Sequence, residues 1–160
     1  MGLEIERKYL VNELKWQALQ KPEGEYYRQG YLLTEPNKTI RVRQTTSQGF
    51  LTIKGISVGA VRTEFEYEIP FKEAGELLDQ FSTAELSKIR YKITFDGKVW
   101  EVDEFLGDNT GLIVAEIELV TEDENFSIPE WVGVEVTGDQ KYYNSSLTSH
   151  PYQNWKHNEK

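Results

Sequence analysis

The sequence predicts a mainly β chain, closed into a barrel or a two-sheet sandwich. Three observations carry this. Polar and apolar residues alternate with a period of two through most of the 160 residues, the pattern of strands with two unlike faces. Turn residues break the alternation at short intervals, as hairpins require. Helical patterns are few and short. Closure follows because about eight antiparallel strands left open would expose two long edges.

Strands are expected at 3–10, 26–34, 39–46, 49–54, 60–69, 87–95, 98–105 and 113–121, with a short one at 133–137. "PNK" (36–38), "SQG" (47–49) and Asp96-Gly97 read as connections, Asp-Gly being the strongest hairpin signal. Connections this short imply a sheet that is largely a meander. "VNELKWQAL" reads as a short helix with Asn12 as its N-cap. "IPFKEAGELLDQF" places Ala74, Leu77, Leu78 and Phe81 on one stripe behind Pro70. A last helix is expected within 137–155, with Asp139 as candidate N-cap. No repeat, low-complexity block or linker divides the chain, so residues 1–160 are expected to form one domain.

Composition narrows the function. Zero cysteines exclude thiolate catalysis, disulfides and cysteine-held zinc or iron–sulfur centres. Twenty-seven acidic residues against 18 basic ones give a net charge of −9, which repels duplex nucleic acid and anionic membranes. No apolar leader or span is visible, so a cytoplasmic protein is expected. The usual signatures of phosphate-loop and nucleophilic enzymes are missing. Gly55 and Gly59 in "GISVGAVR" lack the following Lys-Ser/Thr and read as turn glycines. His150 and His157 have no metal or triad spacing and read as surface residues, and Ser145-Ser146 lacks a GxSxG context.

The charges that remain are ordered. Glu4, Glu6 and Lys8 share one strand face, as do Arg41 and Arg43, with Lys54 ending "LTIKG". Arg62, Glu64, Glu66 and Glu68 align in "VRTEFEYEI", and Lys88, Arg90 and Lys92 in "SKIRYKI". "WEVDEF" aligns Glu101 and Asp103, and "VAEIEL" aligns Glu116 with Glu118. Periodicity alone allows these to be wet outer faces over a core of Ile5, Val42, Ile53, Phe65, Ile89 and Ile117. Two features point the other way. The signs are segregated by strand, where a solubilising surface intersperses them. The opposite faces are interrupted by Arg7, Thr63 and Tyr91. Charges turned inward must pair, stay hydrated or meet ions, so an inward arrangement predicts a bound polyanion together with a divalent metal. Oxygen-only ligands favour Mg²⁺ or Mn²⁺.

"EIERKYLV" resembles the ExExK signature that opens CYTH-domain proteins, also called triphosphate tunnel metalloenzymes. The resemblance continues in order through "RVR", "TIKG", "RTEFE", "KIRY", "EVDEF", "AEIEL" and "EVTGDQKYYNSSL", nearly the whole chain. It implies an eight-stranded antiparallel β-barrel forming a tunnel, with a few short helices, that binds triphosphates with Mg²⁺ or Mn²⁺. Carried over position by position, it makes Glu4, Glu6, Glu116 and Glu118 metal ligands. Lys8, Arg41, Arg43, Lys54, Arg62, Lys88 and Arg90 become phosphate-binding residues, with Lys8 also catalytic. Glu64, Glu66 and Asp103 match acidic tunnel positions, as orienters of the bases or ligands of a second metal; Glu64 and Glu66 are the candidates for orienting the attacking water. Lys141 is also carried over as a phosphate-binding residue, at a position where many relatives carry Arg, keeping the charge without the bidentate fork. Arg7, Glu68, Lys92 and Glu101 are set aside as surface or supporting charges, and Tyr27, Tyr91 and Tyr142 as packing.

The implied activity is hydrolysis of inorganic triphosphate, or a similar small triphosphate, to diphosphate and phosphate. The alternatives are a class IV-type adenylyl cyclase, a thiamine or nucleoside triphosphatase, and a non-catalytic polyphosphate- or nucleotide-binding module. A lipocalin-like carrier would require Val42 and Ile53 inside and Arg41 and Arg43 outside. Oligomeric state is left open between monomer and homodimer.

Overall fold

A computed structural model describes residues 2–156 and 160. Nine strands, β1 (Leu3–Val11), β2 (Glu25–Glu35), β3 (Lys38–Gln44), β4 (Gly49–Val58), β5 (Val61–Ile69), β6 (Ala84–Phe95), β7 (Lys98–Phe105), β8 (Ile113–Glu118) and β9 (Val132–Glu135), form one antiparallel sheet. Its order is β5-β4-β3-β2-β6-β7-β8-β1-β9, and β1 also pairs with β5, which closes eight strands into a barrel. One edge of β1 is shared: residues 3–5 meet β5, while Tyr9 and Val11 meet β9. The other edge faces β8 from Glu6 to Leu10. The charged and apolar alternation survives intact because strand side chains point alternately in and out.

The expected meander is two meanders. β5 does not continue into β6; helix α2 (Phe71–Phe81) carries the chain over the barrel wall, and β6 pairs with β2 instead. Ala74 and Leu78 of α2 bury against Val42, with Leu32, Leu51 and Ile69 packed around them. The Asp96-Gly97 hairpin forms as expected, both residues in the left-handed region (φ 51° and 77°) that an Asp-Gly pair tolerates. Gly59 is likewise a turn residue (φ 61°), whereas Gly55 lies within β4, next to a register shift. Asn12 caps α1 (Glu13–Ala18) by accepting from the Lys15 backbone N–H at 3.0 Å. The last expected helix is broken into a 3₁₀ turn at Gln140–Tyr142, capped by Asp139, then α3 (Asn144–Ser149) and a second 3₁₀ turn at Tyr152–Asn154. His150 is exposed, and His157 lies outside the described residues.

Apolar side chains occupy three places, and each follows from strand parity. Outside β1, β7 and β8, Tyr9, Trp100, Val102, Ala115 and Ile117 pack under Trp16 of α1 and Trp131, with tryptophan rings edge-on at 5.3–6.0 Å. Outside β3 lies the α2 contact. The third cluster is inside: Leu86, Phe105 and Val114, in phase with the charged inward rows, meet Tyr142, Leu147 and Trp155 of the C-terminal segment. That segment therefore fills one end of the barrel with a dry plug, and the charged rows line what is left. Val42 is fully buried on the outer face, Ile53 and Phe65 are exposed there, and Arg41 and Arg43 are buried inside. The wet-surface arrangement and the apolar-carrier arrangement are both excluded. Among the described residues no helix is long and apolar enough to cross a membrane.

Candidate active site

The interior cavity, of about 230 Å³, is lined by seven basic and seven acidic side chains. They sort by strand. Lys54, Arg41, Arg43, Lys88 and Arg90 come from the contiguous strands β4, β3 and β6, with β2 supplying Tyr31 between them. Glu101, Glu116, Glu118, Glu4, Glu6, Glu64 and Glu66 come from β7, β8, β1 and β5, among which Lys8 and Arg62 are the two cations. The wall is thus a cationic arc facing an anionic one.

The cationic arc is braced by neutral and acidic partners. Arg41 donates to Thr52 Oγ1 (3.2 Å) and to Glu66 (3.4 Å), and Thr52 holds the same carboxylate at 2.8 Å. Arg43 donates through Nε to Gln29 Oε1 at 3.2 Å, and its guanidinium lies 4.9 Å over the Tyr27 ring. Arg90 grips Asp103 with two nitrogens at 2.8 and 2.9 Å, and Lys88 meets the same carboxylate at 2.8 Å. Burial would push the Asp103 carboxyl up, but Arg90 and Lys88 outweigh it and hold it down at about 2. Burial draws Lys88 down to about 7 against the pull of Asp103. Burial and the neighbouring Arg41 and Arg90 draw Arg43 down to about 10. Among the described residues no carboxylate lies within salt-bridge distance of this buried guanidinium.

The anionic arc shows the converse. Lys54 sits between Glu4 (3.1 Å) and Glu64 (3.3 Å), and Lys8 and Arg90 reach Glu116 at 3.7 and 3.5 Å. Glu6 has no such cation among the described residues. Burial, then Glu116 and Glu4, push its carboxyl well above the usual carboxylate range. Burial would also raise Glu116, but Lys8, the hydrogen bond with Glu6, and Arg90 hold it well below, so the pair shares one proton. Glu64 and Glu118 are pushed up by burial and by Glu4. Carboxylates held against their own repulsion, with oxygen as the sole donor atom, fit a hard divalent cation. No three of them among the described residues converge into a preformed cage. The arc offers ligands that an ion must gather.

Two expected residues are placed elsewhere. Asp103 is 1% exposed, absent from the cavity lining, and has both oxygens engaged by Arg90 and Lys88; this is the position of an orienter and does not suit a metal ligand. Lys141 does not line the cavity. Its ammonium lies over the rings of Tyr142 and Trp155 at 5.3 and 5.1 Å, because the 3₁₀ turn carries Tyr143 and Asn144 to the interior instead. Glu101, set aside as a surface charge, lines the cavity and meets Arg90 at 3.3 Å; its alternation in phase with Asp103 was the available signal. Tyr27 faces the arginines, while Tyr91 packs outside on Trp16 and Tyr142 lies in the plug. Gln29, Thr52, Tyr143 and Asn144 carry no charge and left no pattern to find.

The family model of the CYTH domain matches residues 2–150. The chain belongs to the CYTH family. Two curated relatives are similar along their whole length. An inorganic triphosphatase of Acetivibrio thermocellus is 49% identical over 98% of this chain and 99% of its own. An inorganic triphosphatase of Nitrosomonas europaea is 35% identical over 90% of this chain and 95% of its own. Among solved structures, the crystal structure of an inorganic triphosphatase superposes with a TM-score of 0.62 at 32% identity, covering 91% of this chain and 93% of that one. This CYTH chain thus covers nearly the full length of the relatives it matches, 99% and 95% of the two triphosphatases.

Proposed function

We propose that this CYTH protein hydrolyses inorganic triphosphate to diphosphate and phosphate inside the barrel. The observation that carries the reading is the opposition of two incomplete arcs across one small cavity: among the described residues Arg43 has no carboxylate, and Glu6 no cation, within salt-bridge distance. A triphosphate with a divalent metal completes both at once. The cavity is below the roughly 300–1,000 Å³ of pockets that enclose drug-sized ligands, which favours a bare phosphate chain. The full-length relatives named inorganic triphosphatase support the same substrate.

In this reading Arg41, Arg43, Lys54, Arg62, Lys88 and Arg90 bind phosphate oxygens. Glu4, Glu6, Glu116 and Glu118 hold Mg²⁺ or Mn²⁺, which when bound neutralises charge on the phosphate oxygens. Water attacks the terminal phosphorus, the bridging P–O bond breaks, and diphosphate leaves with that bond's electron pair. The raised carboxyl of Glu64 is suited to accept the water's proton, whereas Glu66 is committed to Thr52 and Arg41 and orients the latter. Lys8, held at Glu116 and at the Tyr142 carbonyl (3.3 Å), steadies charge on the leaving diphosphate.

Phosphate release from tripolyphosphate, ATP, GTP and thiamine triphosphate, each with Mg²⁺ and with Mn²⁺, tests this. Tripolyphosphate is expected to be cleaved fastest and ATP to yield no cyclic AMP. Binding of tripolyphosphate with no phosphate released under either metal would make the protein a binding module and overturn the proposal.

A further inference from the structure

Asn144 is where the C-terminal plug meets the charged interior. It lines the cavity beside Tyr143 and Ser145, and its Oδ1 accepts two hydrogen bonds, from Lys88 Nζ at 2.8 Å and from Gln29 Nε2 at 2.9 Å. Gln29 is itself fully buried and fixed from its far side, where Arg43 Nε–H donates to Gln29 Oε1. A guanidinium cannot accept a hydrogen bond, so the chain is fixed from its Arg43 end. The polarity of the whole chain is therefore forced: Arg43 donates to Gln29, Gln29 donates to Asn144, and Lys88 donates to the same Asn144 oxygen. Flipping the Asn144 amide would set an NH₂ group against an ammonium and a second NH₂. Among the described residues no protein atom accepts from its NH₂, although the Gln29 NH₂ and Lys88 Nζ, both donating to Oδ1, hold that group in one orientation at the cavity wall.

We propose that Asn144 is a phosphate-binding residue. Its side-chain NH₂ donates to an oxygen of the phosphate lodged at the plugged end of the cavity, between Lys88 and Arg43. Gln29 is a positioning residue that acts through Asn144 and Arg43. The plug thus supplies a neutral, direction-locked donor to a site otherwise read through charge. The identity of the bound phosphate as the end of a triphosphate rests on the function proposed above.

Asn144→Asp separates binding from architecture. It keeps an acceptor for Lys88 and Gln29, removes the donor and turns a charge toward the phosphate. Its melting temperature is expected to stay at or above the wild-type value, while KM for tripolyphosphate rises about 100-fold with a smaller change in kcat. Gln29→Met is expected to raise KM about tenfold alone and by clearly less in the Asn144→Asp background, where only its hold on Arg43 is left to lose. Wild-type KM in Asn144→Asp overturns the binding role, and an undiminished Gln29→Met effect in the double variant overturns the positioning role. Calorimetric Kd for tripolyphosphate, measured in parallel, keeps the two proposals apart. A wild-type protein that binds without cleaving defeats the hydrolase alone and leaves the Asn144 comparison to be decided on Kd; one that does not bind defeats both.

Discussion

The two arcs of the barrel wall share one spacing and one architecture, yet they are held in opposite ways. The cationic arc is braced. Arg41, Arg43, Lys88 and Arg90 are buried, and each rests on a neutral or acidic neighbour that fixes its direction. The anionic arc is left opposed to itself, with Glu6, Glu64 and Glu118 all pushed up by burial and by other carboxylates. A braced cation costs little reorganisation when an anion arrives. A crowded carboxylate costs stability until a cation arrives. Under the proposed function this difference is a division of labour: the braced side would meet phosphate and the crowded side metal.

Breaking the anionic arc tests this most severely. Glu6→Gln is expected to lower phosphate release about 10³-fold, with tripolyphosphate binding in the absence of metal preserved. The same substitution should stabilise the metal-free protein. Because the folded state raises the Glu6 carboxyl above its unfolded value of about 4.3, the wild type loses stability as pH climbs past that point. Thermal melting of both forms at pH 4 and pH 8 should show the variant gaining only at the higher pH.

Asp103→Asn attacks the brace instead and should cost stability. Stripping the buried Lys88 of its carboxylate, and leaving Arg90 only Glu101 and Glu116, is worth about 3–5 kcal/mol, read by denaturant unfolding at pH 7. Asp103 is depressed to about 2 from an unfolded value of about 3.9, so its contribution is complete above pH 4 and disappears as pH falls toward 2. The gap between variant and wild type should close over that window.

Arg43→Lys keeps the charge but loses the fork and the Gln29 contact, and a tenfold rise in KM is expected. Lys88, drawn down to about 7, should make triphosphate affinity weaken as pH rises through that value, a dependence missing from Lys88→Met. Arg7→Ala sets the baseline. Its partner Glu135 is on the outer surface, so kcat/KM should not change and stability should move by less than about 1 kcal/mol.

Much of this was legible in the alternation of charge. A period of two guarantees that Glu4, Glu6 and Lys8 act together, and the same holds for Arg41 with Arg43. Which face was inside was not legible from spacing, because Ile53 and Phe65 look like core yet stand exposed on the barrel's outer wall. The resemblance resolved that orientation. What escaped was whatever depended on the third dimension. Lys141 kept its charge but followed a 3₁₀ turn onto Tyr142 and Trp155. Gln29 and Asn144 meet only because the C-terminal segment folds back into the barrel end, 115 positions from β2. Neutral amides leave no mark in a charge pattern, and no local rule anticipates their pairing.

The closure of the barrel through β1 also sets a schedule. Glu6 faces Glu118 across one seam, and Glu4 faces Arg62 across the other. The first strand can meet β5 over residues 3–5, but the wall cannot seal until β8, more than a hundred residues after β1, has formed. Contacts of such long sequence separation are slow to make, so a ribosome releases most of this chain before its acidic residues meet. Hydrolytic competence is therefore expected to appear late in refolding, together with the sealing of the wall, as phosphate release sampled during refolding would read.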